Sequence, residues 1–221
     1  MIISHRGRKT GKKENSIASF EKALLMGADA IECDARLLIN NDVIISHDRV
    51  FRLNKQDLFL TELFSFIKEK KVPFFIELKS NSPILVKSII SEIKKQNLWD
   101  LVYLIGFSIN IKSALYAQIN YPKLKVIPFL NFPLISLIKK PQKSYGVFMG
   151  WIDEWKWSQK IFQRLISEER LYKIKKLYDK IGIKTMAGVI NNENGIRYFR
   201  SAGIENIVTD EIKLASRILK K

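Results

Sequence analysis

Short apolar runs alternate with helix-period segments along almost the whole chain, and that rhythm limits the fold more than any other feature. The runs fall at residues 2–4, 30–34, 43–46, 72–78, 101–107, 124–130, 145–149, 183–189 and 206–209. Most are continuously apolar, the pattern of strands covered on both faces in a mainly parallel sheet. Helical patterns lie between them, at 17–26, 60–70, 83–96, 110–120, 162–180, 192–202 and 211–220. Such alternation points to a (β/α) barrel or a doubly wound sheet. With 221 residues, 47% of them hydrophobic, residues 1–221 read as one domain near the lower end of the single-barrel range.

Local signals punctuate the pattern. Asn15 or Ser16 is the expected N-cap of the first helix and Gly27 its C′ residue, with Gly182 and Gly203 closing later helices. The eight residues from Ala35 to Asp42 are too few for a parallel crossover and predict a hairpin instead. A turn centred on Asn40 and Asn41 sets Asp34 opposite His47. Residues 138–160 are the least regular, with Lys139-Lys140-Pro141 followed by Trp151, Trp155 and Trp157, and are expected to form a lid or an interface patch. The longest apolar-rich stretch, 126–138, holds 13 residues interrupted by Asn131 and two prolines. It is too short to span a hydrocarbon core of about 30 Å.

The formal charge of +16 favours anionic partners: phosphate esters, nucleic acid or an acidic membrane face. Lysine-rich stretches such as 68–71 and 173–176 read as solvated helix faces. A single cysteine, Cys33, excludes an intrachain disulfide, and the start of the chain has no basic segment followed by an apolar one. A cytoplasmic protein is therefore expected.

Both histidines of the chain, His5 and His47, sit at the ends of predicted strands, where barrel enzymes place catalytic groups. Glu32 and Asp34 are two apart in a strand and share one face. Paired carboxylates in an apolar strand need a positive partner. A divalent cation with oxygen ligands supplies one, and Glu77, closing another apolar run, is a candidate third ligand. A buried Arg or Lys pair is the competing explanation. Lys79, two residues beyond Glu77, brings a positive group to the same mouth.

These residues stand in an order that resembles a known family. His5-Arg6-Gly7, Glu14-Asn15, Phe20 and Ala23, Gly27 through Asp34, His47-Asp48, Glu77-Leu78-Lys79, then more weakly Gly106-Phe107-Ser108 and Gly203 through Asp210, resemble the glycerophosphodiester phosphodiesterases. The resemblance implies a TIM-type (β/α)8 barrel of the phospholipase C-like phosphodiesterase kind. It further implies Glu32, Asp34 and Glu77 as ligands of one divalent cation, Ca2+ or Mg2+, and His5 and His47 as general acid and base. Arg6, Lys79 and Asn15 fall at substrate-binding positions. The implied reaction is metal-dependent hydrolysis of a small anionic glycerophosphodiester to glycerol 3-phosphate and an alcohol, attacked by water or by the substrate's own hydroxyl.

The chain departs from the family pattern in places. The loop before Glu14 reads Thr10-Gly11-Lys12-Lys13 where the family usually has a proline. The spacing from His47 to Glu77 is short, Met186 stands near the family's late Trp, and Ala187-Gly188-Val189 replaces Thr-Val-Asn. Trp151, Trp155 or Trp157 are candidates to compensate by packing on a cationic headgroup, against the alternative of core or lid packing. Two other functions stay open. One is a lysophospholipase D or phospholipase D-like enzyme acting on lysolipids. The other is a basic, non-catalytic binder of nucleic acid or anionic membrane, although no nucleic-acid motif is present and only peripheral membrane contact is expected.

Overall fold

The computed structural model describes residues 1–130, 144–152, 155 and 157–220. Eight parallel strands form the frame: β1 (Ile2–His5), β2 (Ala30–Leu37), β4 (Phe74–Leu78), β5 (Val102–Gly106), β6 (Lys125–Pro128), β7 (Gly146–Met149), β8 (Lys184–Ala187) and β9 (Ile207–Thr209). Their order in the sheet is β6-β5-β4-β2-β1-β9-β8-β7. The ends meet: Leu130 N–H donates to the Phe148 carbonyl at 2.7 Å and Tyr145 N–H to that of Val126 at 3.0 Å. The sheet thus closes into the expected (β/α) barrel rather than a doubly wound sheet.

Around it, among the described residues, run α1 (Ile17–Leu25), α2 (Leu60–Lys70), α3 (Pro83–Gln96), α4 (Lys112–Asn120), α5 (Ser158–Leu165), α6 (Glu168–Lys180), α7 (Glu193–Ser201) and α8 (Ile212–Leu219). Local chemistry sets several starts: the side chains of Ser16, Ser82, Ser167 and Asn192 accept hydrogen bonds from backbone N–H groups in the first turn. Ser16, not Asn15, caps α1. Ser167 also corrects the single helix expected over 162–180, because its cap and the acidic pair Glu168-Glu169 start a fresh helix after Leu165.

The short strand β3 (Val43–Ile45) pairs antiparallel with β2, as the hairpin prediction required, but one residue out of the expected register. Ala35 faces Ile45, and Ser46 N–H donates to the Asp34 carbonyl, so Ser46 rather than His47 lies opposite Asp34. The cause is the turn. Asn41 N–H bonds the Leu38 carbonyl and Asn41 alone takes a positive φ of 68°, giving a three-residue loop with a left-handed last residue in place of a two-residue one.

Two apolar layers fill the molecule. Outward-facing strand residues pack against the helices in the larger core. Inside the barrel, each parallel strand contributes one residue to a plug: Ile3, Ala30, Phe75, Ile105, Ile127, Phe148, Met186 and Val208. This plug is the floor on which the C-terminal mouth is built. Trp151 belongs to the outer core. It is 5% exposed and stacks on Phe199 with ring centroids 5.4 Å apart, with Phe162 at 5.7 Å. Trp151→Ala is expected to cost about 3–5 kcal/mol of unfolding free energy, read from urea denaturation.

Candidate active site

Strand alternation places the residue two beyond each plug residue in the layer above it. On one half of the barrel these are His5, Glu32, Glu77 and Asp210, from β1, β2, β4 and the end of β9; on the other they are Phe107, Phe129, Gly150 and Gly188. The mouth is therefore charged on one side and apolar on the other. The expected strand-end groups, with the exception of His47, come together in the charged half.

Glu32, Asp34 and Glu77 are all buried, and one carboxylate oxygen from each lies within 4.8 Å of those from the other two. Arg6 Nε is 2.9 Å from Asp34 Oδ2, and Lys79 Nζ is 2.9 Å from Glu77 Oε1 and 3.2 Å from Asp34 Oδ1. The competing explanation of a buried basic pair is thus half met: Arg6 and Lys79 occupy Asp34 and Glu77. Glu32 is left over. Its Oε2 is buried with no hydrogen-bond partner among the described residues, and the nearest cationic candidate, His5 Nε2, is 4.0 Å away.

The electrostatics follow. Burial, then repulsion from Asp34 and Glu77, drives the Glu32 carboxyl well above its usual range. Burial also pushes Glu77 up, with Lys79 opposing and Asp34 reinforcing. Burial acts the same way on Asp34, but Lys79, Arg6 and the Asn15 hydrogen bond together outweigh it and hold that carboxyl below its usual value. Three clustered carboxylates with two resident cations keep room for more positive charge, and an unpartnered buried oxygen points to where it would bind. The donor set, all oxygen, fits a hard divalent cation.

The backbone around His5 is built for this crowding. Arg6 and Gly7 have φ of 56° and 68°, turning the chain sharply off β1 while Arg6 N–H bonds the Glu32 carbonyl at 2.8 Å. A side chain at position 7 would collide with Ser19, so only glycine fits. Asn15, with φ of 55°, bonds Asp34 twice: its Nδ2 donates to Oδ2 at 2.9 Å and its Oδ1 accepts from Asp34 N–H at 3.2 Å. Asn15 is therefore a scaffold of the acidic cluster rather than a helix cap.

His5 and His47 differ in setting. The His5 side chain is buried and its Nδ1 lies 2.9 Å from Asp210 Oδ1. Asp210 Oδ2 in turn accepts from Asn191 Nδ2 at 2.9 Å, and Asn191 Oδ1 accepts from Asp210 N–H at 2.7 Å. His47 stands at the rim, its side chain 38% exposed, with Nδ1 2.9 Å from Asp48 Oδ1. The Arg36 guanidinium donates to its carbonyl at 2.8 and 2.5 Å, and the imidazole is close enough to Asp34 to act on it electrostatically.

A family model described as the glycerophosphoryl diester phosphodiesterase family matches residues 5–63. Over its full length the chain is 24% identical to a glycerophosphodiester phosphodiesterase of Caldanaerobacter subterraneus, covering 98% of that protein. Both matches make the chain similar to the glycerophosphodiester phosphodiesterases. The barrel agrees with solved structures. A glycerophosphodiester phosphodiesterase from Parabacteroides distasonis superposes with a TM-score of 0.78 at 19% identity, covering 99% of this chain and 96% of that one. An Oleispira antarctica phosphodiesterase in complex with the product sn-glycerol-3-phosphate superposes with 0.76 at 17% identity, covering 100% and 97%.

The late strands shape the apolar half of the mouth. Met186 is part of the barrel plug and Gly188 sits above it, where a side chain would strike Val208 and Phe148. Trp151 is core and does not face the mouth, which corrects its candidacy as a headgroup platform. Trp155 and Trp157 are exposed and stacked 5.2 Å apart. Of the segment expected as a lid, residues 138–143, 153, 154 and 156 lie outside the described residues. The sequence assigned no role to Asp210, which entered only as the end of the resembling stretch, or to Asn191 and Arg8, whose Nη1 is 3.6 Å from Asp210. Asp210 was legible by the rule that found the histidines, since it follows a predicted strand directly.

Proposed function

We propose that this protein hydrolyses glycerophosphodiesters to glycerol 3-phosphate and an alcohol, with a divalent cation, Ca2+ or Mg2+, held by Glu32, Asp34 and Glu77. The observation that carries the reading is the buried, unpartnered Glu32 Oε2 beside two more carboxylates and 4.0 Å from His5 Nε2. When bound, the cation would supply neutralisation of charge on a phosphoryl oxygen.

The remaining work falls to side chains. Asp210 only accepts, so the His5 Nδ1 bears the hydrogen of their contact and Nε2 is free to take a proton at the acidic cluster. His47, bound through Nδ1 to Asp48, likewise presents Nε2. The two imidazoles act as base and acid toward the attacking and leaving oxygens. Arg6 and Lys79, each mostly buried beside the carboxylates, face the phosphate. Asp210 is a positioning residue, holding the His5 tautomer through the Asn191 network.

His5→Gln and His47→Gln are expected to lower kcat for glycerophosphocholine by about 10²–10⁴ with little change in KM. Asp210→Asn should lower kcat by about 10² or more while leaving KM in place, because a wrong tautomer affects the proton step alone. Release of glycerol 3-phosphate measures all three. Undiminished kcat in both histidine variants would remove the acid–base assignment.

A further inference from the structure

Among the described residues, several loops at the C-terminal end of the barrel expose large apolar side chains, and three of them stand out. Ile39 forms the tip of the β2–β3 hairpin and is fully exposed; Phe51, 93% exposed, and Leu53 follow β3; Trp155 and Trp157, about half exposed, follow β7. The loops after β2 and β7 leave strand ends on the face that carries the acidic cluster, and the loop after the antiparallel β3 is tied to the β1–α1 loop of that face by the Lys13–Asp57 ion pair at 3.1 Å. An amphipathic ring such as tryptophan's suits the boundary between water and lipid. Scattered single apolar residues need no explanation, but several on loops around one face do.

Beside Phe51 and Leu53 the charge left unpaired is basic. Lys12, Arg49, Arg52 and Lys55 are exposed in the β1–α1 and β3–α2 loops, and no ion pair among the described residues engages them. Neighbouring acids are engaged already: Glu14 by Arg8, Asp57 by Lys13, Asp48 by His47, and Asp42 by Asn40. No helix of the described residues is long and apolar enough to cross a membrane. Apolar tips interleaved with unpaired basic residues match an anionic lipid surface, whose phosphates attract the cations while the headgroup region accepts the rings.

We propose that the mouth face of the barrel docks on an anionic phospholipid bilayer, with Phe51 and the Trp155–Trp157 stack entering the headgroup layer. Docking brings the acidic cluster to the level at which lipid-derived phosphodiesters lie. It is independent of the cation and of turnover, so it can fail while the proposed hydrolysis stands, and the reverse.

The test is sedimentation of the full chain with vesicles of phosphatidylglycerol and phosphatidylcholine, against vesicles of phosphatidylcholine alone. Wild type is expected to bind the anionic vesicles and not the neutral ones. Phe51→Ser with Trp157→Ser should weaken binding at least about tenfold, and Arg52→Glu by about tenfold. Arg52→Glu should hydrolyse glycerophosphocholine at the wild-type rate. Wild type failing to sediment with anionic vesicles overturns the proposal. So does binding indifferent to the Phe51 and Trp157 replacements, or equally strong binding to single-stranded DNA, either of which would mark a charge-only surface.

Discussion

Glu32→Gln is expected to raise the melting temperature of the cation-free protein while removing its turnover. The two effects share one cause. Glu32 is a buried carboxyl whose Oε2 has no partner among the described residues, crowded by Asp34 and Glu77, so its ionised form is disfavoured in the folded protein. The unfolded chain pays no such penalty. Stability of the cation-free fold is therefore unaffected by this group below the ordinary carboxylate pKa and declines as pH rises from there toward the raised folded value. Glutamine fits the same space and carries no charge, so the decline disappears. A gain of about 1 kcal/mol, or ~2–4 °C in melting temperature for a chain of this size, is expected at neutral pH. Turnover of glycerophosphocholine should fall at least about 10³-fold, since a ligand of the proposed cation is lost. Calcium should raise the melting temperature of wild type more at pH 8 than at pH 5, because the cation and the Glu32 proton compete, and this difference should vanish in the variant. Thermal scans with EDTA and with calcium, at the two pH values, read the whole pattern.

Asp34→Ala should do the opposite to the fold. Asp34 is the carboxylate on which the buried cations converge, with Arg6 at 2.9 Å and Lys79 at 3.2 Å, and it takes two hydrogen bonds with Asn15. Removing it leaves Lys79 with Glu77 but strands the Arg6 guanidinium, whose side chain is 12% exposed. Breaking one side of such a pair costs about 3–5 kcal/mol, a fall of roughly 10 °C. Activity is lost with it. Two carboxylates two residues apart on one strand thus carry opposite stability effects.

The barrel was legible because its evidence is periodic. Continuous apolar runs such as residues 74–78 and 102–106 fit strands covered on both faces, and the helix between them buries Leu85, Val86, Ile89, Ile90 and Ile93 in a 3.6-residue stripe. What failed was local geometry that periodicity does not encode. The hairpin register turned on whether one or two asparagines take positive φ, and a single residue decided it. The break before Glu168 depended on one serine whose side chain competes for the backbone.

The acidic cluster was legible for a different reason: alternation puts Glu32 and Asp34 on one face, and burying them creates a demand for positive charge that the sequence alone states. Which positive group answers it is a three-dimensional matter. The structure divides the answer, Arg6 and Lys79 serving Asp34 and Glu77 and leaving Glu32 unserved. The role of Asp210 was not legible because its partner His5 is 205 positions away, a contact made only when β9 closes beside β1.

Chelation tests the central claim most directly. Protein stripped with EDTA and assayed for glycerol 3-phosphate release from glycerophosphocholine should be inactive, and Ca2+ or Mg2+ added back should restore turnover in wild type but not in Glu32→Gln. Full activity in the stripped protein, or restoration in the variant to the wild-type level, would contradict it.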